Sequence, residues 1–221
     1  LPYYLGCLSE QTFPKGRTYL YIRTNDNTDN TTELIEEWLE KEKDKYLEIY
    51  FDSSSIDPSL CQYESHQWNA FRFGIMSKIR QESITWAQEK GSHYFVVDGD
   101  NFIHPETLTR LVETNLPVVA PMLTTSYDAY SNYHFRVDDK GYCLTEPGYF
   151  FIRRQEIKGL IEVAVVHCTY FIRHDILAFV SFDEPKLREE NSRRHEYVVM
   201  SENLRISGIP QYIDNRRIYG L

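Results

Sequence analysis

The chain has 221 residues, 42% hydrophobic and 26% charged, with a net charge of −9 and a pI of about 5.3. That length is compatible with one large domain, and the apolar content is enough for a sizeable core. The negative balance argues against phosphate-backbone binding as the main activity and would favour a basic substrate. No apolar run reaches the roughly 20 residues that a membrane-spanning helix needs. Cys7, Cys61, Cys143 and Cys168 lie far apart with no Cys-x-x-Cys pair, so neither a zinc site nor a disulfide framework can be read from them and the redox compartment stays open.

Residues 1–8 read as a helix with Pro2 in its first turn. There is no initiator Met, signal peptide or preceding strand, so the chain is expected to start inside a domain, and the lack of a targeting signal carries no information. Residues 18–22 read as a strand. Asn30 is placed as the cap of the next helix, with Glu33 as its capping-box partner. Residues 47–51 form a second strand, followed by a polar loop at 52–55. A long helix is expected over 68–90, stopping at Gly91. The apolar run 94–97 is too short for a helix and reads as a buried strand. A helix near Pro105 and a short strand at 118–120 follow. This alternation implies a parallel, Rossmann-like half. After Pro121 the pattern turns Tyr-, Gly- and Arg-rich, with hairpin-like pieces. Residues 161–172 are strand-like, interrupted by His167 and Cys168. Residues 183–194 read as a charged loop that is expected to be mobile, and 196–206 as a helix.

The most informative stretch is Val97-Asp98-Gly99-Asp100-Asn101, where an apolar run ends in two carboxylates. On a strand, side chains at i and i+2 share a face, so the pair would repel unless a cation sat between them. A hard divalent ion completed by phosphate oxygens suits such a pair. Ligands in open α/β sheets bind at the carboxyl ends of strands. A polar turn with a helix cap uses the same residue types, so both readings stand on the motif alone.

Seven short segments in order carry a resemblance. They are Asn27-Thr28-Asp29-Asn30-Thr31-Thr32, Glu37-Trp38-Leu39, Lys78-Ile79-Arg80-Gln81, residues 97–103, residues 118–123, Tyr130-Ser131-Asn132 and Val166-His167-Cys168-Thr169-Tyr170. On these the chain resembles the N-terminal glycosyltransferase domain of the procollagen galactosyltransferases, and more distantly the corresponding domains of lysyl hydroxylases. The resemblance covers nearly the whole chain. It implies a single α/β domain of GT-A fold over 1–221, with a Rossmann-like nucleotide-sugar-binding half over 1–123 and a mixed-sheet acceptor half over 124–221. It also implies a UDP-hexose donor and Mn²⁺, or another divalent ion, at the Asp-x-Asp site. The family's first strand and the loop after it have no counterpart here, and His195-Glu196 stands where the family often has two aspartates.

The resemblance directs the site assignments. Asp98 and Asp100 are expected to hold the ion, with Asp214 completing its shell. Asp26, Asn27, Asp29, Lys78, Arg80, Asp98 and Asn101 are expected on the donor. The alternatives are an Asx-rich turn for 26–29 and a solvated helix face for Lys78 and Arg80. Tyr130, Asn132, Tyr142 and His167 are expected at the acceptor, although a histidine in an apolar strand is more often a core residue. Glu196, at a helix start, is the candidate base for an inverting transfer; the alternative is a glutamate favoured by the helix dipole. The expected acceptor is collagen hydroxylysine or galactosyl-hydroxylysine, with a homodimer and an endoplasmic-reticulum location if the animal family is followed. The competing function is a non-catalytic GT-A-like binding or dimerisation module of a larger collagen-modifying protein.

Overall fold

A computed structural model describes residues 1–56, 68–125, 131–184 and 194–221. Six α-helices and nine strands lie among them: α1 (Pro2–Ser9), β1 (Tyr19–Arg23), α2 (Thr31–Glu42), β2 (Glu48–Asp52), α3 (Ala70–Glu89), β3 (Tyr94–Val97), α4 (Thr107–Glu113), β4 (Val118–Pro121), β5 (Tyr133–His134), α5 (Pro147–Arg153), β6 (Leu160–Val163), β7 (Val165–Val166), β8 (Thr169–Ile172), α6 (Glu196–Ile206) and β9 (Gln211–Asp214). Most expected elements are present within a residue or two, and α6 has the expected bounds. The short helix α5 was not foreseen. The charged loop expected at 183–194 falls mostly outside the described residues.

The central sheet has five strands in the order β3-β8-β4-β9-β6. Alternation of strand and helix suggested parallel neighbours, yet β3 and β4 both pair antiparallel with β8, and only β4 with β9 is parallel. A strand from the second half is therefore inserted between two from the first. That insertion is a long-range pairing which local pattern does not encode. β1 and β2 form a separate parallel pair. β5 and β7 form a third, antiparallel pair.

Side-chain alternation sorts the core into two faces. Tyr94, Val96, Val118, Ala120, Tyr170, Ile172 and Ile213 point to one, where Ile84 and Ala87 of α3 and Met200 and Leu204 of α6 cover them. Phe95, Val119, Phe171 and Tyr212 point to the other, under Leu111 of α4. Both β4 and β8 are buried along their full length, as central strands covered on two faces must be.

The ends of α2 and α3 differ in chemistry. Asn69 caps α3 by accepting from the Arg72 N–H at 3.0 Å, and Gly91, at φ 62, ends it. Asn30 occupies the N-cap position of α2 but makes no side-chain cap bond, so the expected capping box is not formed. Asp29 does the work instead, accepting from the Thr31 N–H at 3.1 Å.

The segment after β9 closes over the turn that follows β3. Leu221 and Phe102 exchange backbone hydrogen bonds at 2.9 and 3.0 Å. Gly220 is required there: at φ 152 it brings its Cα so close that an added Cβ would sit 2.1 Å from the Phe102 carbonyl oxygen. A cleft of about 1160 Å³ is lined by β1, β3 and Trp86, and it extends to Thr24, Asn25, Arg80, Asp98 and Gly99.

Candidate active site

β3 ends at Val97, and the Asn101 N–H then donates to the Asp98 carbonyl at 2.9 Å. Asp98 and Asp100 thus sit on a turn beyond the strand, and the shared-face argument for a strand does not apply to them. The turn is braced from below. The Asp98 N–H donates to the carbonyl of Cys168 at 3.1 Å, and Cys168 is left-handed at φ 62. Buried Asn101 donates through Nδ2 to Thr169 Oγ1 at 2.7 Å, so its amide holds the turn against β8.

Three charged groups from three elements meet here. Arg80, from α3, forms an ion pair with Asp98; their side chains are 13% and 29% exposed. Burial works against the Arg80 charge, but Asp98, Tyr170 and Tyr94 outweigh it and raise its pKa further. Glu196, the first residue of α6, is 8% exposed. Burial pushes its carboxyl above the ordinary glutamate value, while Arg80 pulls it back and Asp98 adds to the rise. Tyr4 of α1 donates to the Val97 carbonyl at 2.9 Å, and burial, then Asp98, raises its phenol. Asp100 is exposed. Lys78 is not part of this group. It lies two residues from Arg80 on the helix, hence on another face; its side chain is 67% exposed and its ammonium lies 4.0 Å from Glu82.

Two carboxylates do not make a complete metal site. Among the described residues no group of three His, Cys, Asp or Glu could hold an ion. The donor set of Asp98 and Asp100 fits a hard cation that keeps water and phosphate oxygens as its other ligands. Asp214, expected in that shell, is engaged inside the fold. It is fully buried, and Arg216 Nε and Nη2 donate to it at 3.0 and 2.8 Å and the Tyr219 hydroxyl at 2.6 Å. Burial opposes its charge, but these hydrogen bonds hold its carboxyl below the ordinary range. Its strand is three places from β3 in the sheet, roughly 14 Å at ordinary strand spacing.

The loop after β1 also lines the cleft, through Thr24 and Asn25. Asp26 is left-handed at φ 53 and accepts from Asn25 Nδ2 at 2.7 Å. Asn27 braces the loop by accepting from Thr24 Oγ1 at 2.9 Å and donating to Thr32 Oγ1 at 3.2 Å. Asn27 and Asp29 therefore make internal turn and cap bonds, as the Asx-rich alternative expected.

The expected acceptor residues separate. Tyr130 lies outside the described residues. Asn132 is a buried staple: its Oδ1 accepts from the Leu123 N–H at 2.9 Å, and Nδ2 donates to the carbonyls of Pro121 and Thr169 at 2.8 and 3.3 Å. All three bonds are made to backbone groups of the fold. Asn132→Ala should cost about 2–4 kcal/mol by orphaning buried backbone groups, measured by urea unfolding. A loss under about 0.5 kcal/mol, the range of surface substitutions, would refute the staple.

His167 is a core histidine, 3% exposed, with Nδ1 2.9 Å from Cys168 Sγ. Its ring packs on Tyr197 and His134 at 4.7 and 5.3 Å. Burial, and then the neighbouring histidines, lower its pKa to about 3, and burial lowers that of His134 to about 4. Both are neutral in the fold, and the unfolded chain takes up protons near pH 6.5. Stability should therefore fall by a few kcal/mol as pH drops from about 6.5 toward 4.5. Denaturant midpoints across that window check this, and His167→Gln should flatten the slope.

Tyr142 does approach the centre, edge-on to His195 at 6.1 Å. Sequence reading missed the ring cluster around it: His195 packs against Phe73 at 4.2 Å, Tyr197 at 5.1 Å and Trp68 at 5.4 Å. It also missed Arg194, which anchors the start of α6 through Glu184 at 2.7 Å and the Lys140 carbonyl at 2.8 Å. Phe73, Trp68 and Tyr142 lie more than 50 residues from His195, as the Lys140 carbonyl does from Arg194, and left no local signal.

The domain model for glycosyltransferase family 25, N-terminal domain, matches residues 1–221. The chain belongs to this family. It is 33% identical over 227 residues to procollagen galactosyltransferase 2 of Homo sapiens, covering all of this chain and 36% of that protein. It is 32% identical over 226 residues to procollagen galactosyltransferase 1 of Danio rerio, covering all of this chain and 37% of that protein. The family also includes a human protein named inactive glycosyltransferase 25 family member 3, 33% identical over 174 residues, or 77% of this chain and 29% of that protein. The chain thus spans little more than a third of the first two relatives' length. Staphylococcus aureus TarS is similar in structure, with a TM-score of 0.55 at 16% identity, over 98% of this chain and 33% of that one. The fold is GT-A, and the chain is a glycosyltransferase domain of family 25.

Proposed function

We propose that this domain transfers a hexose from UDP-galactose or UDP-glucose to hydroxylysine or galactosyl-hydroxylysine of collagen-like chains, with a divalent ion such as Mn²⁺ at Asp98 and Asp100. One observation carries the reading. Asp98 pairs with Arg80 where both line the cleft of about 1160 Å³, and Glu196, far from them in the chain, is buried within the field of both. A carboxylate pair for an ion and a third, desolvated carboxylate beside it are what an inverting sugar transfer needs.

When bound, the ion would supply charge for the diphosphate leaving group. The chain's own residues do the rest. Asp98 and Asp100 would hold the cation, and the turn braced by Asn101 fixes their position. Glu196 takes the proton of the acceptor hydroxyl, and its burial makes it a stronger base than an exposed glutamate. The acidic surface draws a lysine- and arginine-bearing peptide. The relatives' names supply the collagen acceptor.

The test is a panel of UDP-hexoses with hydroxylysine, galactosyl-hydroxylysine and lysine peptides, products read by mass spectrometry. Transfer to the hydroxylated peptides alone, weakened by salt, is expected. Hexose on serine or on an N-glycan, with collagen peptides untouched, would overturn the acceptor. The relative named inactive favours a second reading, a non-catalytic binding module. Peptide binding without hexose transfer from any donor would support it.

A further inference from the structure

Arg80 is more than a neighbour of Asp98. Its guanidinium is carried into the fold by α3, and its ion pair with Asp98 bridges the helix to the turn after β3. Among the described residues, the groups around it include the phenols of Tyr4, Tyr94 and Tyr170, whose pKa values burial raises. They offer lone pairs but no charge at neutral pH. Glu196 lies within reach of the Arg80 field, and burial works against its ionised form. A buried cation that loses its carboxylate is costly. A divalent ion therefore cannot take Asp98 freely. Arriving alone, it would leave Arg80 without its partner and place two like charges side by side in a poorly solvated site. Arriving with a diphosphate, it brings the anion that Arg80 then needs.

Building on the ion site proposed above, we propose that Arg80 is the resident counter-cation of Asp98. It is a positioning residue that holds this carboxylate until a divalent ion takes it, and it thereby makes ion binding depend on nucleotide binding. The exchange is a partner swap with no bond made or broken covalently: Asp98 passes from guanidinium to metal ion, and the guanidinium from carboxylate to phosphate oxygens. The site is thus held closed by an internal charge pair and accepts ion and nucleotide together. By linkage, each tightens the other by the same factor.

The test titrates Mn²⁺ alone, and Mn²⁺ with UDP, into the parent and Arg80→Met, with free Mn²⁺ counted by electron paramagnetic resonance. In the parent, UDP should tighten Mn²⁺ binding by on the order of 10-fold or more, within the usual range of such couplings. Arg80→Met should bind Mn²⁺ alone about 10-fold tighter than the parent, while the gain from UDP shrinks to a few-fold, because the competitor that linked the two is gone. A variant that binds Mn²⁺ alone no tighter than the parent overturns the proposal. Parent UDP binding that is indifferent to EDTA removes the ion site itself, and the proposal with it. A second measurement needs no variant. The Arg80 Nε–H resonance should move when Mg²⁺ and UDP are added together and stay near its starting position with Mg²⁺ alone at the same concentration. A resonance unmoved by the pair, or moved fully by the ion alone, is equally decisive against it.

Discussion

Asp100→Ala is expected to lower UDP affinity in the presence of Mn²⁺ by on the order of 10²-fold, while UDP binding in EDTA stays as weak as in the parent. The effect should come without loss of fold. Asp100 is exposed on the turn after β3, and surface substitutions of that kind usually stay within about 0.5 kcal/mol. That separation matters, because Asp98 cannot provide it: its carboxylate is paired with Arg80, whose side chain is only 13% exposed, so removing it would strand a charge as well as remove a proposed ligand. Isothermal calorimetry with UDP, run with Mn²⁺ and with EDTA on both proteins, makes the comparison. Equal affinity under all four conditions would return the Asp-Gly-Asp segment to an ordinary polar turn.

Glu196→Gln is expected to reduce turnover by on the order of 10² to 10⁴, with UDP-sugar affinity unchanged. The substitution keeps the shape of the side chain and removes its basicity. Because burial raises the Glu196 carboxyl above the ordinary glutamate value, the acid limb of kcat/KM should lie above that value too, with activity lost as pH falls through it. The stability effect has the opposite sense. A carboxyl whose pKa is raised by folding favours the folded state less as pH climbs from the unfolded value through the folded one. Glu196→Gln should therefore be at least as stable as the parent at pH 8. A variant that turns over within a few-fold of the parent would leave Glu196 as a helix-start residue. One that unfolds would show that it is a structural group.

How much of this was legible in the chain depends on the range of the interactions. Gly91 as the stop of α3, and α6 opening at Glu196 and ending near Ile206, are local signals and were read correctly. So was the strand that delivers the chain to Asp98. The family followed from short segments in a fixed order, each legible without a neighbour. Where two residues competed for one local role, the sequence was ambiguous: Asn30 and Asp29 are both good caps, and only the backbone geometry, with Asp29 turned onto the Thr31 N–H, chose between them.

Residue type does not state which partner a polar group has found, and three of the expected site residues have partners inside the fold. Asn132 and Asp214 have the chemistry of ligand residues, yet the first closes three buried backbone hydrogen bonds and the second is neutralised by Arg216 and Tyr219. His167 looks like a ligand, and burial against Tyr197 and His134 keeps it neutral. By itself the sequence determined most of the elements, the family, and the carboxylates available for chemistry. The tertiary structure alone decided that β8 enters between β3 and β4, that Lys78 faces solvent while Arg80 faces Asp98, and that Glu196 is desolvated beside them. Those outcomes rest on contacts between distant segments, where burial and charge pairing set the energy, and no local window of the chain contains them.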